Sequence, residues 1–259
     1  MTKPNALILL ATGTNRDQDV SRALELAGAR PEVVPLNILR LSKRRWEDYQ
    51  MLVLAGGFSY ADALGAGKLL ALDLKAYFAD EVNAFVQQGK PVIGICNGFQ
   101  ALVKSGILPG NGVPGPAPTA TLTFNARGNF ECRWVTLSPV SHTCLWTREL
   151  TEPVYCPVAH GEGNFVADQA VLQTLTACDQ IALRYSLDDG TQAGGAYPYN
   201  PNGSISDIAG ICNAQGNVLG LMPHPENHIL AYQHPRWTRG ERGGSGLPLF
   251  VNGVRYAAQ

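Results

Sequence analysis

The chain has 259 residues, of which 45% are apolar and 16% charged, and its formal net charge is −1. This composition supports a large buried core and gives no indication of binding to nucleic acid or to an anionic membrane. No apolar run approaches the roughly 20 residues of a membrane span, and the amino terminus lacks a signal-peptide layout, so we expect a soluble, cytoplasmic protein.

The first 105 residues alternate between buried strands and helices. Helices are predicted over 17–29, 69–88 and 97–105. Strands are predicted over 6–10, 32–36, 51–55 and 91–95. Because these strands show no polar alternation, they are typical of a parallel sheet covered on both faces. Functional sites in such sheets collect at the carboxyl ends of the strands.

In the second half the apolar segments are shorter, and their pattern is more typical of strands. Loops are expected over 109–118 and 188–203, and the stretch 232–259 is poorly periodic. Strands are predicted over 130–137, 154–159, 181–185, 208–213 and 218–222. We predict one α/β domain over 1–259, with a core over about 6–230 and a C-terminal extension over 231–259. Its sheet is open and mostly parallel, flavodoxin-like, with helices on both faces and added strands in the second half.

The six cysteines carry no metal-binding signature. None forms a Cys-x-x-Cys pair, and the five histidines do not cluster with them at zinc-ligand spacing. A chain of this length needs no disulfides, so most of the cysteines are expected to be small core residues. We therefore predict no metal site.

One cysteine has distinctive surroundings. Gly94-Ile95-Cys96-Asn97-Gly98 lies where a buried strand meets a helix. A nucleophile at such a turn has a strained backbone, and the flanking glycines avoid Cβ clashes. The helix amino terminus favours the reactive thiolate. The pentapeptide alone is equally compatible with a buried structural cysteine.

A histidine and a glutamate follow the last predicted strand, in Met222-Pro223-His224-Pro225-Glu226. In an extended segment residues i and i+2 point the same way, so His224 and Glu226 can share a face. A base held by a carboxylate beside a thiol is the arrangement of an acyl-transfer triad. Without the cysteine, a solvent-exposed proline turn would be the better interpretation.

The third predicted strand ends in two glycines, Gly56 and Gly57. Their backbone N–H groups can lie across from Cys96. The N–H groups of Gly57 and Asn97 would then form an oxyanion hole for a tetrahedral intermediate. An ordinary glycine turn is the alternative.

Six motifs, in this order and spacing, resemble the glutaminase subunit of phosphoribosylformylglycinamidine synthase, a class I glutamine amidotransferase of purine biosynthesis. The Cys turn and the His-x-Glu motif are shared across class I enzymes. The motifs at 159–164, 200–204 and 207–211 narrow the resemblance to this one subunit. The motifs are Gly-Gly-Phe-Ser-Tyr at 56–60, Gly-Ile-Cys-Asn-Gly-Phe-Gln at 94–100, Ala-His-Gly-Glu-Gly-Asn at 159–164, Asn-Pro-Asn-Gly-Ser at 200–204, Asp-Ile-Ala-Gly-Ile at 207–211 and Met-Pro-His-Pro-Glu at 222–226.

The resemblance implies a cofactor-free glutaminase with Cys96 as nucleophile, His224 as proton carrier and Glu226 as the group that orients it. It also implies that four further residues hold the glutamine: Gln100, Phe124, Asn125 and His160. No P-loop occurs in the chain, so ATP and Mg²⁺ are expected in a partner. The resemblance implies that this partner is the large synthetase subunit, and it allows for a small bridging subunit in the complex.

The chain departs from the family pattern at two positions that usually carry arginine. Gly65 leaves no cationic side chain after the 56–60 motif, which puts any contact of that arginine in doubt, and Asn227 replaces the other. The 109–118 loop and the tail after 230 look longer than in compact members. Two rival interpretations stay open: a glutaminase subunit serving another synthetase, and a non-catalytic flavodoxin-like cysteine sensor.

Overall fold

The computed structural model describes residues 2–112, 114–115 and 118–259. Within this part, eleven strands and seven α-helices form. The strands are β1 Asn5–Leu10, β2 Arg30–Pro35, β3 Met51–Leu54, β4 Val92–Ile95, β5 Ala120–Thr123, β6 Glu131–Pro139, β7 Val154–His160, β8 Asn164–Ala167, β9 Ile181–Ser186, β10 Ile208–Cys212 and β11 Val218–Leu221. The helices are α1 Asp17–Ala27, α2 Leu36–Arg40, α3 Lys68–Tyr77, α4 Ala79–Gln87, α5 Asn97–Lys104, α6 Gln169–Ala177 and α7 Leu247–Ala257.

Nine strands form one sheet in the order β2-β1-β3-β4-β11-β10-β9-β6-β7. The pairings from β2 to β11 are parallel, and those from β11 to β7 are antiparallel. β5 and β8 form a separate antiparallel pair. The prediction of an open, mostly parallel sheet with added strands in the second half is therefore confirmed.

Helices cover both faces of the parallel half. The chain moves from β1 to β2 in one direction and from β2 through β3 to β4 in the other. Because such crossovers are right-handed, α1 lies on one face and α3 and α4 on the opposite face. α5 packs on α3, and α7 packs on α1. The strands between these layers are almost fully buried, as their unbroken apolar sequences require.

One prediction of helical structure was wrong in detail, and one helix was not predicted. The pattern over 69–88 forms two helices, α3 and α4, which break at Phe78 (φ −133°, ψ 16°). The Phe78 ring is buried against Trp46, with ring centroids 5.6 Å apart, so tertiary packing overrides the local helical pattern. The poorly periodic tail contains α7, whose Leu249 and Phe250 are fully buried.

Other elements were not predicted, namely α2, α6, β5 and β8. The predicted 188–203 loop, all of which the structure describes, contains no helix or strand. Of the predicted 109–118 loop, positions 113, 116 and 117 lie outside the described residues. None of the helices in the described part of the chain combines the length and apolar content of a membrane span.

Candidate active site

Three neighbouring parallel strands carry the predicted catalytic groups. β3, β4 and β11 are adjacent in the sheet and in register, with Leu54 beside Gly94 and Leu221 beside Ile95. The next residues after these strands therefore leave the sheet at one edge. A Cβ placed on Gly56, after β3, would lie 2.8 Å from His224 Cε1 and 3.5 Å from Cys96 Cβ.

Cys96 has the strained backbone that its motif predicts. Its φ of 50° and ψ of −105° lie outside the regions that L-residues favour. The flanking glycines permit this turn: a Cβ at Gly98 would lie 2.0 Å from the Leu54 carbonyl oxygen, and one at Gly94 would lie 2.9 Å from Gly98 backbone atoms. Sγ contacts the Ala159 carbonyl at 3.8 Å. The turn presses α5 against β3 and holds the thiol at the edge of the sheet.

His224 is tied to Glu226 on one side. Its Nδ1 lies 2.7 Å from Glu226 Oε1, and both side chains are buried. The His224 N–H donates to the Pro157 carbonyl at 2.8 Å, which anchors the segment to β7. The i and i+2 arrangement therefore brings the pair together as the sequence predicts.

The charge state of His224 follows from its neighbours. Burial by itself lowers the pKa of this histidine, but the negative charges of Glu226 and Cys96, and hydrogen bonds to both, raise it to about 10. The imidazole is therefore protonated at neutral pH and has a proton to give to a leaving group.

One predicted oxyanion-hole residue, Asn97, follows Cys96 directly, and the other, Gly57, follows Gly56, where a Cβ would lie 3.5 Å from Cys96 Cβ. Asn97 is the first residue of α5, so its N–H has no acceptor within the helix. Gly57 follows β3 with φ 128°, and a Cβ there would meet the Asn15 backbone nitrogen at 2.6 Å. The Asn97 side chain accepts from the Ser59 N–H at 3.2 Å, so it holds the Gly57 loop beside the nucleophile.

Gln100 lies one turn after the nucleophile, and both ends of its side-chain amide contact protein groups. Its Nε2 donates to the Glu162 carbonyl at 2.6 Å, and its Oε1 accepts from Asn97 Nδ2 at 3.2 Å. In this arrangement Gln100 connects α5 to the 159–164 segment. Its predicted contact with glutamine stays a prediction.

Asn125 and His160 are buried and bond to each other. Asn125 Oδ1 lies 3.2 Å from His160 Nδ1 and accepts from the Gly163 N–H at 2.9 Å, while its Nδ2 donates to the His160 carbonyl at 2.8 Å. Nδ1 of His160 is therefore the protonated nitrogen, and Nε2 is buried with no partner among the described residues. Burial, together with the charge of His224, lowers the His160 pKa to about 3. Phe124, next to this pair, is 71% exposed.

The 200–204 motif supports the same segment, which gives it a structural role that the sequence alone does not indicate. Asn202 Nδ2 donates to the Gly163 carbonyl at 2.8 Å, and Ser204 Oγ donates to the same carbonyl at 3.2 Å. Asp207 accepts from the Gly194 and Gly195 N–H groups at 2.7 and 2.8 Å. The 200–204 motif therefore holds the 159–164 segment in place, and Asp207 of the 207–211 motif holds the 188–203 loop.

Sequence reasoning missed a polar cluster beside the site. Lys104 Nζ lies 3.2 Å from Glu162 Oε2, and Asp62 Oδ1 accepts from Asn97 Nδ2 at 2.8 Å. Two sequence signals pointed towards it without giving its role: Glu162 lies in the 159–164 motif, and an arginine is missing at Gly65, where a Cβ would lie 3.5 Å from Lys104 Nζ. Among the described residues, no three or more His, Cys, Asp or Glu side chains are grouped so as to hold a metal ion.

Comparisons with known proteins confirm the family resemblance. A CobB/CobQ-like glutamine amidotransferase domain matches residues 3–257. Phosphoribosylformylglycinamidine synthase subunit PurQ of Treponema denticola is 55% identical over 98% of this chain and 99% of that protein. The PurQ subunit of Dehalococcoides mccartyi is 42% identical over 100% of both chains.

A solved structure shows the same fold at lower identity. A chain in the structure of PurLQS from Thermotoga maritima matches with a TM-score of 0.75 and 31% identity, covering 98% of this chain and 99% of that one. The chain therefore belongs to the glutamine amidotransferases, and within them to the PurQ subunits of phosphoribosylformylglycinamidine synthase.

Proposed function

We propose that this chain hydrolyses glutamine to glutamate and ammonia, with Cys96, His224 and Glu226 as its catalytic triad. The observation that carries the proposal is the buried His224–Glu226 pair, 2.7 Å apart, beside a cysteine in a strained turn. A sensor thiol needs no such pair, so the geometry favours the enzyme over the non-catalytic alternative.

The residues divide the reaction between them. The Cys96 thiolate attacks the carboxamide carbon, and the N–H groups of Gly57 and Asn97 stabilise the oxyanion. His224 gives its proton to the nitrogen as ammonia leaves, which produces a γ-glutamyl thioester. His224 then takes a proton from water, which cleaves the thioester to glutamate and regenerates the thiolate.

Four residues are proposed to hold the glutamine at this centre: Gln100, Phe124, Asn125 and His160. The unpartnered Nε2 of His160 is an acceptor, and it supports a role in orienting a donor group of the substrate. Phe124 supports the proposal differently, because its exposed ring can cover a bound substrate.

The ammonia is proposed to pass to a large ATP- and Mg²⁺-dependent synthetase subunit, in the cytoplasm, with a small bridging subunit in the complex. That subunit would convert formylglycinamide ribonucleotide to formylglycinamidine ribonucleotide in purine biosynthesis. The names of the PurQ relatives and of the PurLQS assembly support this acceptor and these partners. The absence of a P-loop from the sequence also supports ATP use by a partner.

A cysteine-replacement series tests the catalytic assignment. Each of the six cysteines is replaced by Ser, and glutamine hydrolysis is measured in the reconstituted complex. We expect only Cys96→Ser to abolish activity. Cys156 is the sharpest control, because burial and the charge of Glu226 raise the pKa of its thiol and keep it protonated. Full activity of Cys96→Ser, or loss of activity in another folded variant, contradicts the assignment.

The choice of acceptor separates this proposal from a glutaminase subunit of another synthetase. The purified complex is given glutamine, ATP and either formylglycinamide ribonucleotide or the acceptor of a different amidotransferase. Glutamate production coupled to formylglycinamidine ribonucleotide supports the proposal. Coupling to a different acceptor replaces it with the rival interpretation.

A further inference from the structure

The loop over 57–66, which joins β3 to α3, adopts a conformation that its own sequence does not favour. Four of its non-glycine residues have φ between 53° and 64°, in the left-handed region: Tyr60, Ala61, Asp62 and Leu64. L-residues rarely adopt this region without support from surrounding contacts. The loop begins with Gly57, the proposed oxyanion-hole residue, so whatever holds the loop also positions that N–H group.

The side chain of Asn97 holds the first part of the loop. It accepts from Ser59 Oγ at 2.5 Å and from the Ser59 N–H at 3.2 Å, and it donates to Asp62 Oδ1 at 2.8 Å. These contacts join the loop to the residue directly after the nucleophile. They leave the far end, near Ala66, to other groups.

An ion pair between Lys104 and Glu162 holds the far end of the loop, through the backbone N–H and the backbone carbonyl of Ala66. The carboxylate of Glu162 accepts from the Ala66 N–H at 3.2 and 3.3 Å. The ammonium of Lys104 donates to the Ala66 carbonyl at 2.6 Å and to Glu162 Oε2 at 3.2 Å. The two side chains are only 14% and 18% exposed, so water screens the pair weakly.

The pair also links the three segments that form the site. Lys104 is the last residue of α5, which begins after Cys96. Glu162 belongs to the 159–164 segment, whose Ala159 carbonyl contacts Cys96 Sγ. Ala66 belongs to the 57–66 loop. A contact that joins α5, this segment and the loop at one point fixes their relative positions.

We propose that Lys104, paired with Glu162, is a positioning residue for glutamine hydrolysis, because it clamps the 57–66 loop onto α5. Gly65 lies beside this clamp: a Cβ there would be in van der Waals contact with it, 3.5 Å from Lys104 Nζ and 3.9 Å from Glu162 Oε2. A longer side chain at position 65 would therefore project towards the Lys104 ammonium. In this chain Lys104 supplies the cation at that place, from α5.

The electrostatic surroundings give the lysine a second effect. Burial raises the pKa of Asp62, and the charge of Glu162 raises it further, while Asn97 and Lys104 oppose the shift. Without Lys104, no charge of this lysine would oppose the repulsion between the Asp62 and Glu162 carboxylates. Their repulsion would move Asp62 away from Asn97 and loosen the first anchor as well.

The test compares Lys104→Met with Lys68→Met in the complete complex; it rests on the proposed function. Lys68 is exposed, lies two residues from Ala66 and loses the same charge. Because an oxyanion hole acts on the transition state, we expect kcat for glutamine hydrolysis to fall on the order of tenfold in Lys104→Met, with little change in KM. Lys68→Met should match the wild type. Lys104→Arg should restore most of kcat, since a guanidinium donates to the same carbonyl and carboxylate.

Two results overturn the clamp: wild-type kcat in Lys104→Met, or a loss that Lys104→Arg does not restore. Hydrogen exchange of the 57–66 amides gives a readout that needs no activity. We expect faster exchange in Lys104→Met than in Lys68→Met, and equal rates also overturn the clamp. The wild type and Cys96→Ser, assayed alongside, test the proposed function separately, because its failure would leave the wild type inactive whatever the exchange rates show.

Discussion

At the scale of single residues, the site depends on where one proton lies. Glu226 Oε1 contacts His224, while its Oε2 is buried with no partner among the described residues. A buried carboxylate with so few hydrogen bonds depends on the imidazolium for compensation. The pair therefore fixes the ring orientation and keeps the proton on His224, although Glu226 itself transfers none.

Replacement of the two residues should give unequal losses. Because His224 carries the proton and Glu226 only orients and stabilises it, we expect kcat to fall by roughly 10⁴-fold or more in His224→Ala and by a smaller factor in Glu226→Gln. Steady-state kinetics of the purified complexes measures both. The exposed His142 provides a control, and His142→Ala should keep wild-type kcat. A larger loss in Glu226→Gln would reverse the roles.

His160 should make the folded state sensitive to acid. Its pKa is lowered to about 3 in the folded chain, by burial and by the charge of His224, from about 6.5 in the unfolded chain. Its contribution to stability is therefore fully present above pH 6.5. Between pH 6.5 and 3 the unfolded state binds a proton at this histidine that the folded state does not bind. The free energy of unfolding therefore falls by about 1.4 kcal/mol for each unit by which the pH is lowered.

Urea unfolding at several pH values between 4 and 7 measures this effect. Below about pH 6 His224 adds little slope, because a raised pKa contributes stability that is fully present below the unfolded value of about 6.5 and is lost as pH rises from there towards 10. In His160→Gln we expect the free energy of unfolding to depend less steeply on pH, by about one proton. The same slope in both proteins would show that His160 does not titrate in this way.

At the scale of elements, the strand-turn-helix at Cys96 is a close fit between α5 and β3. A Cβ at Gly98 would overlap the Leu54 carbonyl, so we expect Gly98→Ala to lower the free energy of unfolding by about 2 kcal/mol or more and to reduce activity. Urea denaturation checks this. Gly161→Ala is the matched control, since its nearest atom would be a Phe130 ring carbon at 3.8 Å. Equal stability of the two variants would contradict the proposed fit.

The same elements show how far the sequence leads. Unbroken apolar strands and the glycines around Cys96 predict the parallel sheet, the strand-turn-helix at Cys96 and the edge of the sheet at which His224 lies. These features can be predicted because the sequence patterns behind them are local. The break at Phe78 depends on the ring of Trp46, which lies 32 positions away, and so it is invisible in a local pattern. The Lys104–Glu162 pair joins residues 58 positions apart for the same reason.

At the scale of the whole molecule, the site is closed in the isolated chain. Cys96 is only 5% exposed, so a glutamine carboxamide reaches Sγ only when nearby loops move. The 188–203 loop is one candidate, because it contains no helix or strand throughout its described length, and the part of the 57–66 loop between its two anchors is another, because its backbone is strained. We expect binding of a synthetase to order these loops.

The isolated chain should therefore be a slow glutaminase. Completion of the oxyanion hole by the partner is worth about 3 kcal/mol, so we expect kcat/KM for glutamine to rise roughly a hundredfold in the complex with ATP and acceptor. Initial rates of glutamate release with and without the synthetase measure this rise. An isolated chain already at full speed would identify a free-standing glutaminase.

The most direct measurement compares two nitrogen sources in the reconstituted complex that contains Cys96→Ser. The synthetase is given ATP, formylglycinamide ribonucleotide and either glutamine or ammonium, and formation of formylglycinamidine ribonucleotide is followed. We expect the variant complex to lose synthesis from glutamine and to keep synthesis from ammonium at the wild-type rate, because only ammonia release depends on Cys96. Synthesis from glutamine at the wild-type rate would contradict the account.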